Sequence, residues 1–219
     1  MNDTVIDVRE VTLRLGGFRL YADASMRIDR GQTYALTGHN GSGKSVLLKL
    51  ICGFMTPDSG EVWVDPAYLS PRRTFPDRFG ITIDGPAYLP GRTGIENLLD
   101  LARIRRRVGK AEILATMERV GLDPEIRQKV RTYSMGMKQK LSLAQALMEA
   151  PDVLLLDEPF NALDVESAAR VKDVLREEQV RGTTILFTSH SRDDVTDLTD
   201  RVYRVQERQI VRADPGMTA

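Results

Sequence analysis

The chain of 219 residues carries 31 basic and 31 acidic side chains, so its formal net charge is zero and no global field recruits nucleic acid or an anionic membrane surface. Its length suits one compact α/β domain carrying a subdomain and is too short for two domains of ordinary size. No apolar run approaches the ~20 residues that span a bilayer, and Met1-Asn2-Asp3-Thr4 lacks the basic and apolar regions of a signal peptide. A cytoplasmic protein is expected, with no nucleic-acid partner. Its single cysteine, Cys52, has no internal disulfide partner and is expected to pack in the core.

In chain order, Val5 to Leu15 and Phe18 to Ile28 alternate loosely between apolar and polar around Gly16-Gly17, which predicts a β-hairpin. Thr33 to Thr37 predicts a short buried strand, and Val46 to Cys52 the first turns of a buried helix. Further strands are predicted at Gly60 to Val64 and Ile81 to Ile83. From about Pro86 to Ala150 the character becomes helical, with apolar residues at helical spacing through Ile95 to Val108, Ala111 to Val120 and Gly136 to Met148. Val153 to Leu156 is a continuous apolar run of the kind buried on both faces of a sheet. A helix from Val165 to Gln179, a strand from Thr183 to Thr188 and a closing pair near Val202 to Val205 and Gln209 to Val211 complete the pattern.

Between the predicted strand at Thr33 to Thr37 and its helix lies Gly38-His39-Asn40-Gly41-Ser42-Gly43-Lys44-Ser45, which fits G-x-x-x-x-G-K-[ST] at every required position. Glycines let the backbone curl so that successive N–H groups face phosphate oxygens, and the helix N-terminus adds partial positive charge. Lys44 is expected to reach the β- and γ-phosphates and the Ser45 hydroxyl to bind Mg²⁺. The nucleotide-binding run therefore comprises Gly38, His39, Asn40, Gly41, Ser42, Gly43, Lys44, Ser45 and Val46; the His39 ring, at a variable position, has no special role. Downstream, Leu154-Leu155-Leu156-Asp157-Glu158-Pro159 ends an apolar strand in two carboxylates. In a chain with a phosphate loop, Asp157 is expected to hold Mg²⁺ through its water shell and Glu158 to lie beside the attacking water.

With these motifs in place the sequence resembles the ATP-binding cassette (ABC) family along essentially its whole length. Tyr133-Ser134-Met135-Gly136-Met137-Lys138-Gln139-Lys140 is similar to the family signature in a divergent form that keeps Ser134 and Gly136, Asn161-Ala162-Leu163-Asp164 resembles the D-loop, and Thr188-Ser189-His190 resembles the switch histidine. The resemblance implies an α/β P-loop NTPase core with an N-terminal antiparallel β subdomain and an inserted α-helical subdomain: residues 1–86 and 151–219 for the core, 87–150 for the insert, within one domain. It implies an ATPase using ATP and Mg²⁺, with Glu158, His190 and Lys44 catalytic and Ser134, Gly136 and Asp164 added to the nucleotide set. It also implies a head-to-tail dimer, homomeric or heteromeric, in which Ser134 of one subunit closes over the γ-phosphate held by Lys44 of the other. An integral membrane permease subunit is the expected partner, holding the chain peripherally at the cytoplasmic face. The signature form resembles that of drug, peptide or polysaccharide exporters, and the surface from Asp84 to Glu96 is expected to meet the permease.

Two positions depart from the family pattern. Leu15 stands where an aromatic residue normally stacks on adenine, with Phe18 or Tyr21 as replacements, and Asp84 stands for the usual glutamine. Asp84 reads two ways, as an oxygen ligand approaching Mg²⁺ or as a turn residue ahead of Gly85-Pro86. The alternatives for the whole chain are a soluble cassette ATPase that does not transport and a slow or inactive nucleotide-binding scaffold. Against the first, Ser45 and Ser134 are only 89 positions apart and no heptads separate them; against the second stand Glu158 and His190. The basic cluster Arg103, Arg105, Arg106, Arg107 and Lys110 is expected to be a solvated helix face.

Overall fold

Two β-sheets organise residues 3–69, 75–85 and 88–213, which are those described by the computed structural model. Pro86, where the helical stretch is expected to begin, and Ala87, the first residue expected in the insert, lie outside the described residues. In the first sheet β1 (Thr4–Leu15) lies between β2 (Phe18–Asp29) and β4 (Ser59–Val64), and all pairings are antiparallel. The turn between β1 and β2 places Gly16 at φ 57° and Gly17 at φ 84°. Two consecutive positive φ values give a type I′ turn, whose twist matches the flanking strands and which glycine adopts without strain.

The second sheet runs in the order β5 (Phe79–Thr82), β6 (Val153–Leu156), β7 (Thr184–Thr188), β3 (Thr33–Thr37), β8 (Arg201–Gln206), β9 (Gln209–Ala213). The first five strands are parallel and β9 returns antiparallel. Because strand side chains alternate between faces, each apolar strand feeds two cores. Val153, Leu155, Leu186 and Leu36 pack with Leu47, Leu48 and Ile51 of α1 (Lys44–Ile51) and with the inner face of the first sheet. Leu154, Leu156, Ile185, Phe187 and Ala35 pack on the opposite side with α2 (Gly94–Arg105), α3 (Lys110–Arg119), α4 (Met135–Leu147) and α5 (Val165–Val180). Burying a leucine of this kind contributes about 1.5–3 kcal/mol. Cys52 is fully buried at the end of α1, and burial pushes its thiol up to about 12, so it is an inert core residue.

Two elements differ from the sequence pattern. A sixth helix, α6 (Arg192–Leu198), was not expected, since it buries only Val195 and Leu198 and so presents too few apolar positions to show a period. Helix α2 stops at Arg105 rather than continuing to Val108, because Arg106 turns into the left-handed region at φ 54° and its N–H closes on the Ala102 carbonyl. The basic cluster is largely paired within the chain. Arg103 meets Asp100 at 2.6 Å, Arg107 meets Asp77 at 2.7 Å, and Arg105 bridges Asp77 and, at 2.8 Å, Glu149.

Helix α4 comes close to β5 only because Gly80 has no side chain: a Cβ there would lie 2.1 Å from the Ala146 carbonyl oxygen. Backbone cannot yield to that contact as a flexible side chain would. Gly80→Ala is therefore expected to destabilise the fold by about 1–3 kcal/mol, read as a lowered urea midpoint with an unchanged m-value.

Candidate active site

Strands β6, β7 and β3 are neighbours in that order and parallel, so the loops leaving their carboxyl ends share one edge of the sheet. Those loops carry the phosphate-loop motif, the carboxylate pair and Ser189-His190.

The phosphate loop leaves β3 at Gly38 (φ 147°) and passes through Gly41 (φ 80°) to Gly43 (φ 109°), where α1 begins. A Cβ on Gly38 would come within 2.7 Å of Ser42 Oγ and 3.0 Å of the Val205 carbonyl. The loop thus closes on itself too tightly for any side chain at that position. The Gly43 carbonyl accepts a hydrogen bond of 2.8 Å from the Tyr21 hydroxyl, which anchors the loop to β2. Ser42 Oγ is buried without a hydrogen-bond partner among the described residues, and Ser45 follows Lys44 in the first turn of α1. A buried hydroxyl without a partner, glycines that keep the cradle open and a helix N-terminus fit a bound phosphate.

Lys44 is buried, and its Nζ donates to the Gly38 carbonyl at 2.9 Å while lying 3.7 Å from Glu158 Oε1. The other oxygen of Glu158 meets His190 Nδ1 at 3.0 Å. One carboxylate therefore links the lysine and the histidine that the sequence places in catalytic roles. Its backbone is unusual, at φ 47°. A left-handed conformation costs a non-glycine residue about 1–2 kcal/mol. Its N–H donates to Thr188 Oγ1 at 2.8 Å, and the same hydroxyl donates to Asp157 Oδ1 at 2.7 Å. The Asp157 N–H in turn donates to the Thr82 carbonyl at 2.8 Å, continuing the sheet register into the site.

Ser134 caps α4, its Oγ accepting the Met137 N–H at 3.1 Å. Gly136 lets this helix approach the turn after Glu158, since a Cβ there would lie 2.9 Å from the Ala162 carbonyl. Asp164 caps α5, and the Ser167 N–H that it accepts at 2.7 Å holds its carboxyl below the usual range. That contribution to stability is complete above the ordinary aspartate pKa and disappears as pH falls through the depressed value. His39, His190, Arg192, Gly38 and Ser191 line a cleft of about 570 Å³ beside the phosphate loop. The His39 ring faces the carbonyl of its own neighbour, Asn40, at 2.9 Å.

Further residues around the site are placed by the fold. Tyr21 has no exposed surface and its hydroxyl holds Gly43, so it cannot stack on a base; Phe18, 80 % exposed at the hairpin turn, and Leu15, 48 % exposed, remain accessible. Asp84 sits at φ 59° and pairs with Lys49 of α1 at 2.5 Å. Other contacts at the site carry no mark in the sequence: Gln139 Nε2 donates to the carbonyls of Glu158 at 3.3 Å and Pro159 at 3.0 Å, and the Thr188 hydroxyl serves Asp157 and Glu158 together. Gln139 and Thr188 both stand inside motifs that were recognised for other positions.

This combination of a parallel sheet, a phosphate loop and a strand-end carboxylate pair defines a nucleotide-hydrolysing α/β protein. The ABC transporter model matches residues 21–161, and the chain belongs to the ABC transporter family. It is 37 % identical over 196 residues to the uncharacterized ABC transporter ATP-binding protein YybJ of Bacillus subtilis, covering 90 % of each chain. It is 32 % identical to the fluoroquinolones export ATP-binding protein of Mycobacterium tuberculosis, covering 96 % of this chain and 70 % of that one. Among solved structures, the dimeric post-hydrolysis state of the ATP-binding cassette MJ0796 with ADP and Pi superposes with a TM-score of 0.83, covering 96 % of this chain and 98 % of that one at 21 % identity, a likeness of fold. The chain is accordingly an ATP-binding, ATP-hydrolysing transporter subunit of this family.

Gly38→Ala introduces both a Cβ clash and a disfavoured φ. It is expected to weaken ATP binding at least about ten-fold, with thermal stability changed less than by Gly80→Ala, as titration calorimetry and thermal unfolding would show.

Proposed function

We propose that this chain is the ATPase subunit of an exporter, working as a head-to-tail pair and driving a separate membrane-spanning permease. The observation that carries the catalytic part is the Lys44–Glu158–His190 arrangement at the mouth of the phosphate loop. Ser45 and Asp157 would hold Mg²⁺ against the phosphates, where the ion neutralises phosphate charge; Asp84, paired with Lys49, joins that set only by leaving the lysine.

Arrival of the triphosphate gives Lys44 better partners than the Gly38 carbonyl and the Glu158 carboxylate. Glu158 is then free to orient a water and accept its proton as the γ-phosphoryl group transfers. His190, already against Glu158, holds the γ-phosphate side of the same water. Ser134 at the head of α4 serves the triphosphate held by a second copy, since helix N-termini favour anions. Among the described residues no helix is long and apolar enough to cross a membrane, which supports a separate permease. The surface from Asp84 to Glu96 is the proposed docking face; Pro86 and Ala87 within it lie outside the described residues. Export, rather than import, is supported by the form of the signature and by the export relative.

Glu158→Gln keeps the shape and removes the base, so steady-state hydrolysis is expected to fall at least about a hundred-fold while ATP binding persists. A variant that hydrolyses like the wild type would sink the assignment. Phe18→Ala is expected to weaken ATP binding roughly 5- to 150-fold, in line with ~1–3 kcal/mol for a stacked base, with inorganic triphosphate binding unchanged. Equal losses for both ligands would place the base elsewhere. Recovery of the tagged chain from native membranes with an integral membrane protein tests the permease, and drug accumulation in cells carrying Glu158→Gln tests direction: accumulation rises if the system exports.

A further inference from the structure

We infer that Gln139 is a positioning residue for ATP hydrolysis: together with Thr188 it clamps the peptide of Glu158 in the left-handed conformation and ties the base to the helix that Ser134 opens. The inference rests on Glu158 being the base, as argued above. Glu158 precedes Pro159, and a residue before proline is driven towards extended backbone. It sits instead at φ 47°, so the surroundings must hold it there.

They hold it at both ends. Thr188 Oγ1 accepts the Glu158 N–H at 2.8 Å, and Gln139 Nε2 reaches the Glu158 carbonyl at 3.3 Å and the Pro159 carbonyl at 3.0 Å. The Asn161 N–H also reaches the Glu158 carbonyl, at 3.2 Å, closing the turn from within. Gln139 differs from these partners in where it comes from. It lies on α4, whose first residues are the signature, whereas Thr188 and Asn161 belong to the sheet edge and to the turn itself. The two carbonyls it grips belong to successive peptides, so relaxation of Glu158 to extended backbone would pull at least one out of reach. The carboxylate would then swing away from Lys44 and His190. Seating of α4, and with it of Ser134, thereby sets the aim of the base. Thr188 completes the arrangement because its one proton goes to Asp157 Oδ1 at 2.7 Å, which leaves its lone pairs for Glu158.

The test compares Gln139→Met, which keeps length without donors, and Gln139→Glu, which faces the carbonyls with acceptors, in the full chain. Each is expected to lower kcat at least about ten-fold, with KM and the ATP dissociation constant within about two-fold of wild type and an unchanged melting temperature. Thr188→Val should behave likewise and Thr188→Ser should retain activity. In the Glu158→Gln background, Gln139→Met should cost nothing further in single-turnover hydrolysis, because its effect runs through the missing carboxylate. Three results would overturn the inference: near-wild-type kcat in both Gln139 variants, a matching loss of nucleotide affinity or melting temperature, or a further drop in the double variant. If Glu158→Gln itself hydrolyses normally, the failure is that of the base assignment, and it is distinguished by that single variant.

Discussion

The parallel register of β6, β7 and β3 is the constraint on which the site depends. Leu156 lies opposite Phe187, and Leu36 opposite Thr188, so the three chains leave the sheet at matched levels. Each strand is buried on both faces, and a slip of one residue would exchange the two cores: Leu154 and Leu156 would turn towards α1, and Leu155 towards α4. Such a slip would also move Asp157 and Glu158 relative to Thr188 and Lys44. The same apolar packing that stabilises the sheet therefore sets the alignment of its charged edge.

That edge is arranged so that Lys44, Asp157, Glu158 and His190 already have partners. Lys44 has the Gly38 carbonyl and Glu158, His190 has Glu158, and Asp157 has Thr188 and the Thr82 peptide. Lys44 is buried, and a buried charge without a partner would cost several kcal/mol, so its contacts with Glu158 and the Gly38 carbonyl stabilise the folded edge. Binding then exchanges partners rather than creating them, and the affinity for nucleotide is the net of bonds made and bonds given up.

The strands and the long helices were legible because two-sided burial and helical spacing leave unbroken apolar patterns, as in Val153 to Leu156 and Val165 to Val180. The phosphate loop and the carboxylate pair were legible because their chemistry requires particular residue types at fixed spacing. What escaped was geometry between distant segments. Nothing in the sequence marks Gln139 as reaching Glu158, or Lys49 as pairing with Asp84, since each pairing is made by the fold. The same holds for Tyr21: a tyrosine in a hairpin looks accessible until the phosphate loop is packed against it. α6 escaped for want of apolar positions.

The ion pairs around Asp77 have a mechanical consequence. Asp77 precedes β5 on the sheet, while Arg105 and Arg107 stand at the far end of α2, and Arg105 also holds Glu149 after α4. One end of the helical layer is thus fastened to the sheet by charges at the solvent boundary, and its other end, at Gln139 and Gly136, by short contacts to the turn after Glu158. Charged fastenings tolerate small changes of angle and are screened by salt, whereas close-packed ones accept a single seating. The arginine end carries both kinds, since Ala146 abuts Gly80 beside Arg105 and Glu149, so salt loosens only its outer rim while both ends of the layer keep their seating.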